Sequence, residues 1–267
     1  MSPTAVTDAA IDTLRAELRR HDRIVVAFSG GADSAFLAWM AHDTLGADRA
    51  VAVTAVSPSL ADRERSDCAA LADEWGLSWV EIETHEYDDD RYRANDRDRC
   101  FWCKDALMDA VAPVAAARGA VVTLGVNLDD LGDHRPGQQA AQAKGAAFPL
   151  VDAGFTKADV RAASRALGLR TWDKPAAPCL ASRLPYGTAV TLRRLAEVEA
   201  AEAALHHLGF VECRVRHYGE LARIEVPVAD LPRLVARHDE VVAAVRAAGY
   251  RYVTVDLDGL RSGNLNG

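Results

Sequence analysis

An apolar run that breaks on two consecutive glycines constrains this chain most: Val25-Val26-Ala27-Phe28-Ser29-Gly30-Gly31-Ala32-Asp33-Ser34. Ile24 to Phe28 reads as a short buried strand, and helical spacing resumes from Ala35 to Leu45. Between them, paired glycines let the backbone turn tightly and approach a phosphate with no Cβ in the way. A helix starting near Ser34 leaves several N–H groups and its positive dipole end facing the loop. Ser29 and Ser34 add hydroxyl donors, and Asp33 offers a carboxylate for Mg²⁺ or its bound water. An ordinary glycine turn would lack the bracketing serines and the enclosed aspartate.

The rest of the N-terminal part alternates in the same way. Ala50–Val56, Ser78–Ile82 and Ala120–Gly125 read as strands, and Thr4–Arg20, Ala61–Glu74 and Cys100–Arg118 as helices, with Asp88–Arg99 a charged loop. Alternating strands and helices imply an α/β fold whose parallel sheet is covered on both faces. Three prolines interrupt the pattern between Asp173 and Gly187. Beyond them, a helix (Thr191–Leu208), two strands (Glu212–His217, Leu221–Val226), a helix (Leu231–Ala248) and a strand (Arg251–Leu257) suggest a small C-terminal α+β domain. The expected division is therefore residues 1–186 and 187–267, with a boundary near Tyr186.

The formal charge of −8 argues against a broad nucleic-acid footprint, and no aromatic stripe alternates with basic residues. No apolar run reaches bilayer length, and Met1–Leu18 lacks the order of a signal peptide, so a cytoplasmic location is expected. In that compartment clustered cysteines point to metal or catalysis. Cys100 and Cys103 form a Cys-x-x-Cys pair on one side of a helical turn. Cys179 lies in a proline-locked loop beside Arg183, a cation that favours thiolate. Cys68 and Cys213, inside a helix and a strand, read as small buried hydrophobes. Arg214 and Arg216 alternate on a strand and share a face, as a phosphate grip requires.

The loop lacks the Gly-Lys-Ser/Thr ending of a Walker motif. Ser29–Ser34 instead resembles the SGGxDS loop of the PP-loop ATP pyrophosphatases, whose domain is Rossmann-like (adenine nucleotide alpha-hydrolase-like). That resemblance implies ATP cleavage between the α and β phosphates and an adenylylated product. It places adenine near Thr54 and Ser57, and ribose and phosphate contacts near Gly125, Asn127 and Asp130. Over nearly the whole chain the ordered motifs Ser29–Ser34, Arg99–Lys104, Asp133–Gly137, Pro178–Gly187 and Asp258–Gly263 are similar to those of the LarE family of sulfur transferases. The Pro-Cys-Leu-Ala-Ser-Arg stretch from Pro178 to Arg183, with the Pro-Tyr-Gly at Pro185–Gly187, is the most specific of them.

This resemblance implies adenylylation of a carboxylate of pyridinium-3,5-biscarboxylic acid mononucleotide, a small-molecule nucleotide substrate. Sulfur then attacks the acyl-adenylate to give a thiocarboxylate for the nickel-pincer nucleotide. Three-cysteine members imply a [4Fe-4S] cluster held here by Cys100, Cys103 and Cys179 and carrying a sulfide. Single-cysteine members imply a sacrificial alternative in which Cys179 gives up its own sulfur. Lys104, Ser182 and Arg183 match positions near the reacting carboxylate. Glu202, Arg214 and Arg216 match a substrate-phosphate pocket at a subunit contact, and related enzymes form hexamers, so a homo-oligomer is expected. Other readings stay open: a tRNA thiolase, a non-catalytic nucleotide- or metal-sensing module, and an amidotransferase-like synthetase fed by free ammonia.

Overall fold

Four segments rich in valine, isoleucine and alanine build the first sheet of the computed structural model: β1 (Ile24–Ala27), β2 (Ala50–Val56), β3 (Ser78–Glu83) and β4 (Val121–Leu124). Residues 3–132 and 136–261 are described; Asp133, His134, Arg135, Ser262 and Gly263 of the sequence motifs lie outside them. The strands run parallel in the order β3-β2-β1-β4, with Ile24 opposite both Ala50 and Val121. Helices α1 (Pro3–Arg19), α2 (Ala32–Leu45), α3 (Asp62–Trp75), α4 (Asp90–Ala94), α5 (Arg99–Arg118), α6 (Pro136–Ala143), α7 (Pro149–Asp152) and α8 (Lys157–Ala166) punctuate this part of the chain.

Period-two alternation sorts the strand side chains onto two cores. Ile24, Val26, Ala50 and Ala52 pack with apolar residues of α1, α2, α3 and α8. Val25, Val51 and Val53 pack on the other face with Met108 and Val111 of α5 and Ala141 of α6. Helix α8 starts where Thr156 and Asp159 satisfy each other's backbone N–H groups in a capping box. Among the described residues no helix is long and apolar enough to cross a membrane.

A second sheet is built from β5 (Arg214–Tyr218), β6 (Leu221–Glu225) and β7 (Tyr252–Val255). The β5–β6 pair is an antiparallel hairpin, and β7 joins β6 in parallel. Helices α9 (Leu192–His207), α10 (Leu231–Ala236) and α11 (His238–Ala247) enclose its core, which includes Leu205, Phe210, Val215, Ile224 and Val245. The single helix expected over Leu231–Ala248 is two, parted at Arg237.

The chain separates into two compact units, Met1–Asp89 with Cys100–Ala177, and Asp90–Arg99 with Pro178–Gly267. The division thus falls upstream of Tyr186, and the segment expected to be a loop of the first domain belongs to the second. Hydrogen bonds explain this. Asn95, held at φ 59°, donates from Nδ2 to the carbonyls of Pro185 and Thr188, both at 2.9 Å. Arg99 donates to Ala181 O at 2.8 Å, and the Val190 N–H reaches Arg93 O at 2.8 Å. The charged stretch forms the short α4 because this scaffold fixes its ends.

Candidate active site

In the first sheet the chain moves outward from β1 through β2 to β3, then returns to place β4 on the other side of β1. This reversal opens a crevice beyond the carboxyl ends of β1 and β4, where open α/β sheets bind ligands. The Ser29–Ser34 loop and the Gly125–Asp130 segment are the two chains that leave it.

Their approach is close enough to dictate residue type. A Cβ on Gly125 would stand 2.8 Å from Ser34 N and 2.9 Å from Asp33 C. Only glycine lets the end of β4 touch the first turn of α2. Gly30 sits at φ +68°, and a Cβ there would meet Cys68 Sγ at 2.9 Å. Gly31 caps α2 with no side-chain hydrogen bond, unlike Thr156 at α8 or Thr191 at α9, so the first-turn N–H groups have no capping side chain. Ser34 Oγ ties the loop together, receiving Ser29 N–H at 3.2 Å, lying 3.0 Å from Ser29 Oγ and donating to Gly31 O at 3.1 Å. An anion can settle on such a cradle.

Asp33 points from α2 to the β4 side. Its Oδ1 accepts from buried Asn127 Nδ2 at 3.2 Å, and Lys157 Nζ stands 3.9 Å from Oδ2. Asn127 N–H in turn donates to Asp130 Oδ2 at 3.1 Å. Burial raises the Asp33 pKa from its ordinary value; Lys157 opposes this and the negative Asp130 adds to it. Two carboxylates that repel each other beside a phosphate cradle are oxygen donors suited to Mg²⁺. Gly125, Asn127 and Asp130, expected near the nucleotide, are thus gathered at the loop.

Thr54 is used differently from a simple ligand contact. Its buried hydroxyl donates to Phe28 O at 2.8 Å and accepts from Trp79 Nε1 at 2.9 Å, which anchors the strand leading into the loop. Ser57 lies just past β2, 2.9 Å from Ser59 Oγ.

Cys68 presses on the loop from behind. Burial pushes its thiol from the ordinary value near 9 up to about 11, so it is protonated at neutral pH and no nucleophile. The folded protein holds this proton more tightly than the unfolded chain does. The associated stability is whole below about pH 9 and is lost as pH rises toward 11. Chemical denaturation at pH 7 and pH 11 should show wild type losing about 2 kcal/mol more than Cys68→Ala over that interval. An equal loss in both proteins would contradict this.

The remaining cysteines divide between the units. Cys100 is exposed and Cys103 half-buried on the first turn of α5, with Lys104 half-buried beside them. Gly137 of α6 packs on this turn so tightly that a Cβ would lie 2.8 Å from Cys100 O. Cys179, half-buried in the second unit, precedes the 3-10 turn Leu180–Arg183. Among the described residues no three His, Cys, Asp or Glu side chains are gathered to hold a metal. The accessible thiols are chemically apt ligands for iron, whereas Cys68 and Cys213 are buried.

In the second unit three arginines meet below the Cys179 loop. Arg183 donates from Nε and a terminal nitrogen to Glu202 at 2.8 and 3.0 Å, and from the other nitrogen to Pro178 O and Ser182 Oγ. Burial disfavours its charge, but Glu202 more than offsets this and its pKa is raised. Arg183 therefore clamps the Cys179 loop onto α9. Arg216 forms a two-bond pair with fully buried Glu225 and donates to Ser182 O at 2.9 Å. Arg214 donates to Arg261 O at 3.1 Å; burial and then the Arg183 and Arg216 charges push its pKa down. Arg214 and Arg216 on this strand are thus unlike cations: Arg216 is locked to a carboxylate, whereas at Arg214 burial and the Arg183 and Arg216 charges outweigh the pull of Glu225 and Glu202.

Sequence reading missed Lys157 and Lys174. Lys174 Nζ donates to Gly30 O at 3.1 Å, Glu64 Oε2 at 2.8 Å and Asp67 Oδ2 at 2.6 Å. Two signals were available: Lys174 immediately precedes the proline-rich motif, and Glu64, Asp67 and Cys68 fall on one helical face.

Known proteins resemble this chain along nearly its whole length. The NAD synthase family model matches residues 6–99, which include the phosphate loop. An uncharacterized Synechocystis protein is 43% identical over 97% of this chain and 97% of its own length. The pyridinium-3,5-bisthiocarboxylic acid mononucleotide synthase of Lactiplantibacillus plantarum is 40% identical over 95% of this chain and 92% of its own. An uncharacterized Methanocaldococcus jannaschii protein is 24% identical over 91% and 92% of the two chains. With its phosphate loop, its glycine-tight junction and this near-full-length likeness, the chain belongs to the LarE family of ATP-dependent, PP-loop sulfur transferases.

Proposed function

We propose that the chain adenylylates a carboxylate of pyridinium-3,5-biscarboxylic acid mononucleotide and converts it to a thiocarboxylate. The observation that carries this reading is the uncapped α2 N-terminus, pressed against Gly125 at the switch point of the sheet. The carboxylate oxygen attacks the α-phosphorus of ATP and pyrophosphate leaves, turning a poor electrophile into an acyl phosphate anhydride. Loop N–H groups and the α2 dipole stabilise the departing charge, and the Ser29 and Ser34 hydroxyls hold the loop that presents them. Asp33, with Asp130, would hold Mg²⁺, which when bound neutralises the phosphates. Adenine recognition is assigned to the β2 end at Thr54 and Ser57, with Asn127 near the ribose.

A sulfur nucleophile then adds to the acyl carbon and AMP departs. Lys104 supplies positive charge for the developing oxyanion, while Arg183 and Ser182 hold the Cys179 loop. Cys100, Cys103 and Cys179 are assigned to a [4Fe-4S] cluster, which when bound offers an open iron position for a sulfide. Arg214 is assigned to the substrate phosphate, with Arg216 and Glu202 keeping its surroundings in place. The family resemblance supports a cytoplasmic homo-oligomer that acts on a small molecule and not on nucleic acid.

A second reading rests on Cys179 alone, half-buried at the head of the 3-10 turn whose Arg183 holds the loop. In it Cys179 Sγ displaces AMP to form a thioester, and elimination releases the thiocarboxylate and leaves dehydroalanine. An anaerobic assay with ATP, sulfide, reconstituted iron and the biscarboxylate nucleotide separates the readings by mass spectrometry. Several product equivalents from intact protein, lost in Cys100→Ala, are expected. One equivalent, with Cys179 lighter by the elements of hydrogen sulfide, would establish the sacrificial route. No pyrophosphate release with this substrate would overturn both.

A further inference from the structure

Beside the phosphate loop lies a cleft of about 460 Å³, lined by Arg63, Glu64, Asp67, Arg170, Thr171 and Lys174 among others and by no residue of α2. Lys174 forms its inner wall. An ammonium group has three donors, and the three acceptors around it are Glu64, Asp67 and the main-chain oxygen of Gly30. Burial alone would lower the Lys174 pKa; Asp67 and Glu64 outweigh it, so the group is cationic. Asp67 is braced in turn by Arg170 at 2.8 Å, which also holds Glu74 at 2.7 Å.

We infer that Lys174 is a positioning residue that aims the Gly31 N–H into the phosphate cradle; this rests on the loop being the ATP site. In a trans peptide the C=O and the following N–H point in opposite directions. Fastening Gly30 O to a cation on one side of the loop therefore turns the Gly31 N–H to the other side. Nothing in the glycines themselves enforces that choice. Gly30, at φ +68°, and Gly31 have no Cβ to resist a flip of the peptide between them, and a flip would present a carbonyl oxygen to an incoming phosphate. The freedom that lets the backbone approach a phosphate leaves its polarity undetermined, and Lys174 determines it. Cys68 packs against the same glycine but has no charge with which to select an orientation.

The inference distinguishes phosphate binding from nucleoside binding. Equilibrium binding to Lys174→Ala should show ATP weakened about tenfold or more, the worth of one hydrogen bond to a charged group. Adenosine, which lacks phosphates, should bind as it does to wild type. Because the cleft opens to solvent beside the missing ammonium, added ethylammonium should restore ATP affinity in part, and Lys174→Arg should retain most of it. In ¹⁵N-glycine-labelled protein, the Gly31 amide shift should move in the alanine variant and return with ethylammonium. Equal losses for ATP and adenosine, or unchanged ATP affinity, would overturn the inference while leaving the nucleotide site standing. Wild-type protein that failed to bind ATP would remove the site and the inference together.

Discussion

Gly125→Ala is expected to lower kcat/KM for ATP-dependent pyrophosphate release by about 100-fold, the scale of an ångström-sized misplacement at a reacting centre. The new methyl would stand 2.8 Å from Ser34 N and 2.9 Å from both Asp33 C and Ser34 Cα. All three are backbone atoms of the first turn of α2, so no side chain can swing aside. Either β4 or the helix must shift, and the phosphate cradle moves with it. Overpacking of this kind costs about 1–3 kcal/mol in stability, so the protein should remain folded. Gly31→Ala is the comparison. Its Cβ would find only Ser29 Oγ at 3.6 Å, and Gly31 already has φ −71°. That variant should keep wild-type thermal stability and lose affinity only where a phosphate must come near. Full activity in Gly125→Ala would show that the two strands do not jointly form the nucleotide site.

Glu225→Ala is expected to destabilise the second unit by about 3–5 kcal/mol, the range for removing one partner of a buried ion pair. Glu225 is fully buried and accepts from Arg216 Nε at 3.0 Å, a second Arg216 nitrogen at 2.9 Å and Arg223 at 3.1 Å. Its loss leaves the Arg216 cation buried without a counter-charge. Arg216→Ala should be similarly damaging and would also free Ser182 O from its donor. Replacing both residues with methionine should restore much of the loss, because neither member of the pair is left buried without the other. Arg214→Ala should cost less. It removes a cation that burial, Arg183 and Arg216 disfavour more than Glu225 and Glu202 favour it, so the loss of thermal stability should be smaller than for Arg216→Ala. The KM for the phosphate-bearing substrate should rise, with ATP affinity unaltered. Urea denaturation and steady-state kinetics on the same variants check both halves; comparable destabilisation by Arg214→Ala and Arg216→Ala would refute the division of roles.

The contrast between these arginines marks how far the sequence could be read. Their shared face followed from strand periodicity, a local property. That one of them is locked to Glu225 depends on the β5–β6 register, which sets Arg216 opposite Arg223 and Arg214 opposite Glu225, and on a loop carbonyl far along the chain. Segment 90–99 carried no local sign that it belongs with residues 178–190, because its ties are main-chain carbonyls that any residue supplies. Thr54 was expected at the adenine, and the structure shows its hydroxyl serving Phe28 and Trp79.

What the sequence alone determined was the phosphate loop and the parallel α/β frame around it. Both rest on contiguous residues and on periodicities of 2 and 3.6, which the backbone converts directly into shape. Tertiary structure decided how that loop is polarised and tightened. Gly125 touches α2 from another strand, and Lys174 reaches Gly30 across more than half the chain. Hydrogen bonds and steric contact act over a few ångströms of space whatever the separation in sequence, so no local pattern could announce them.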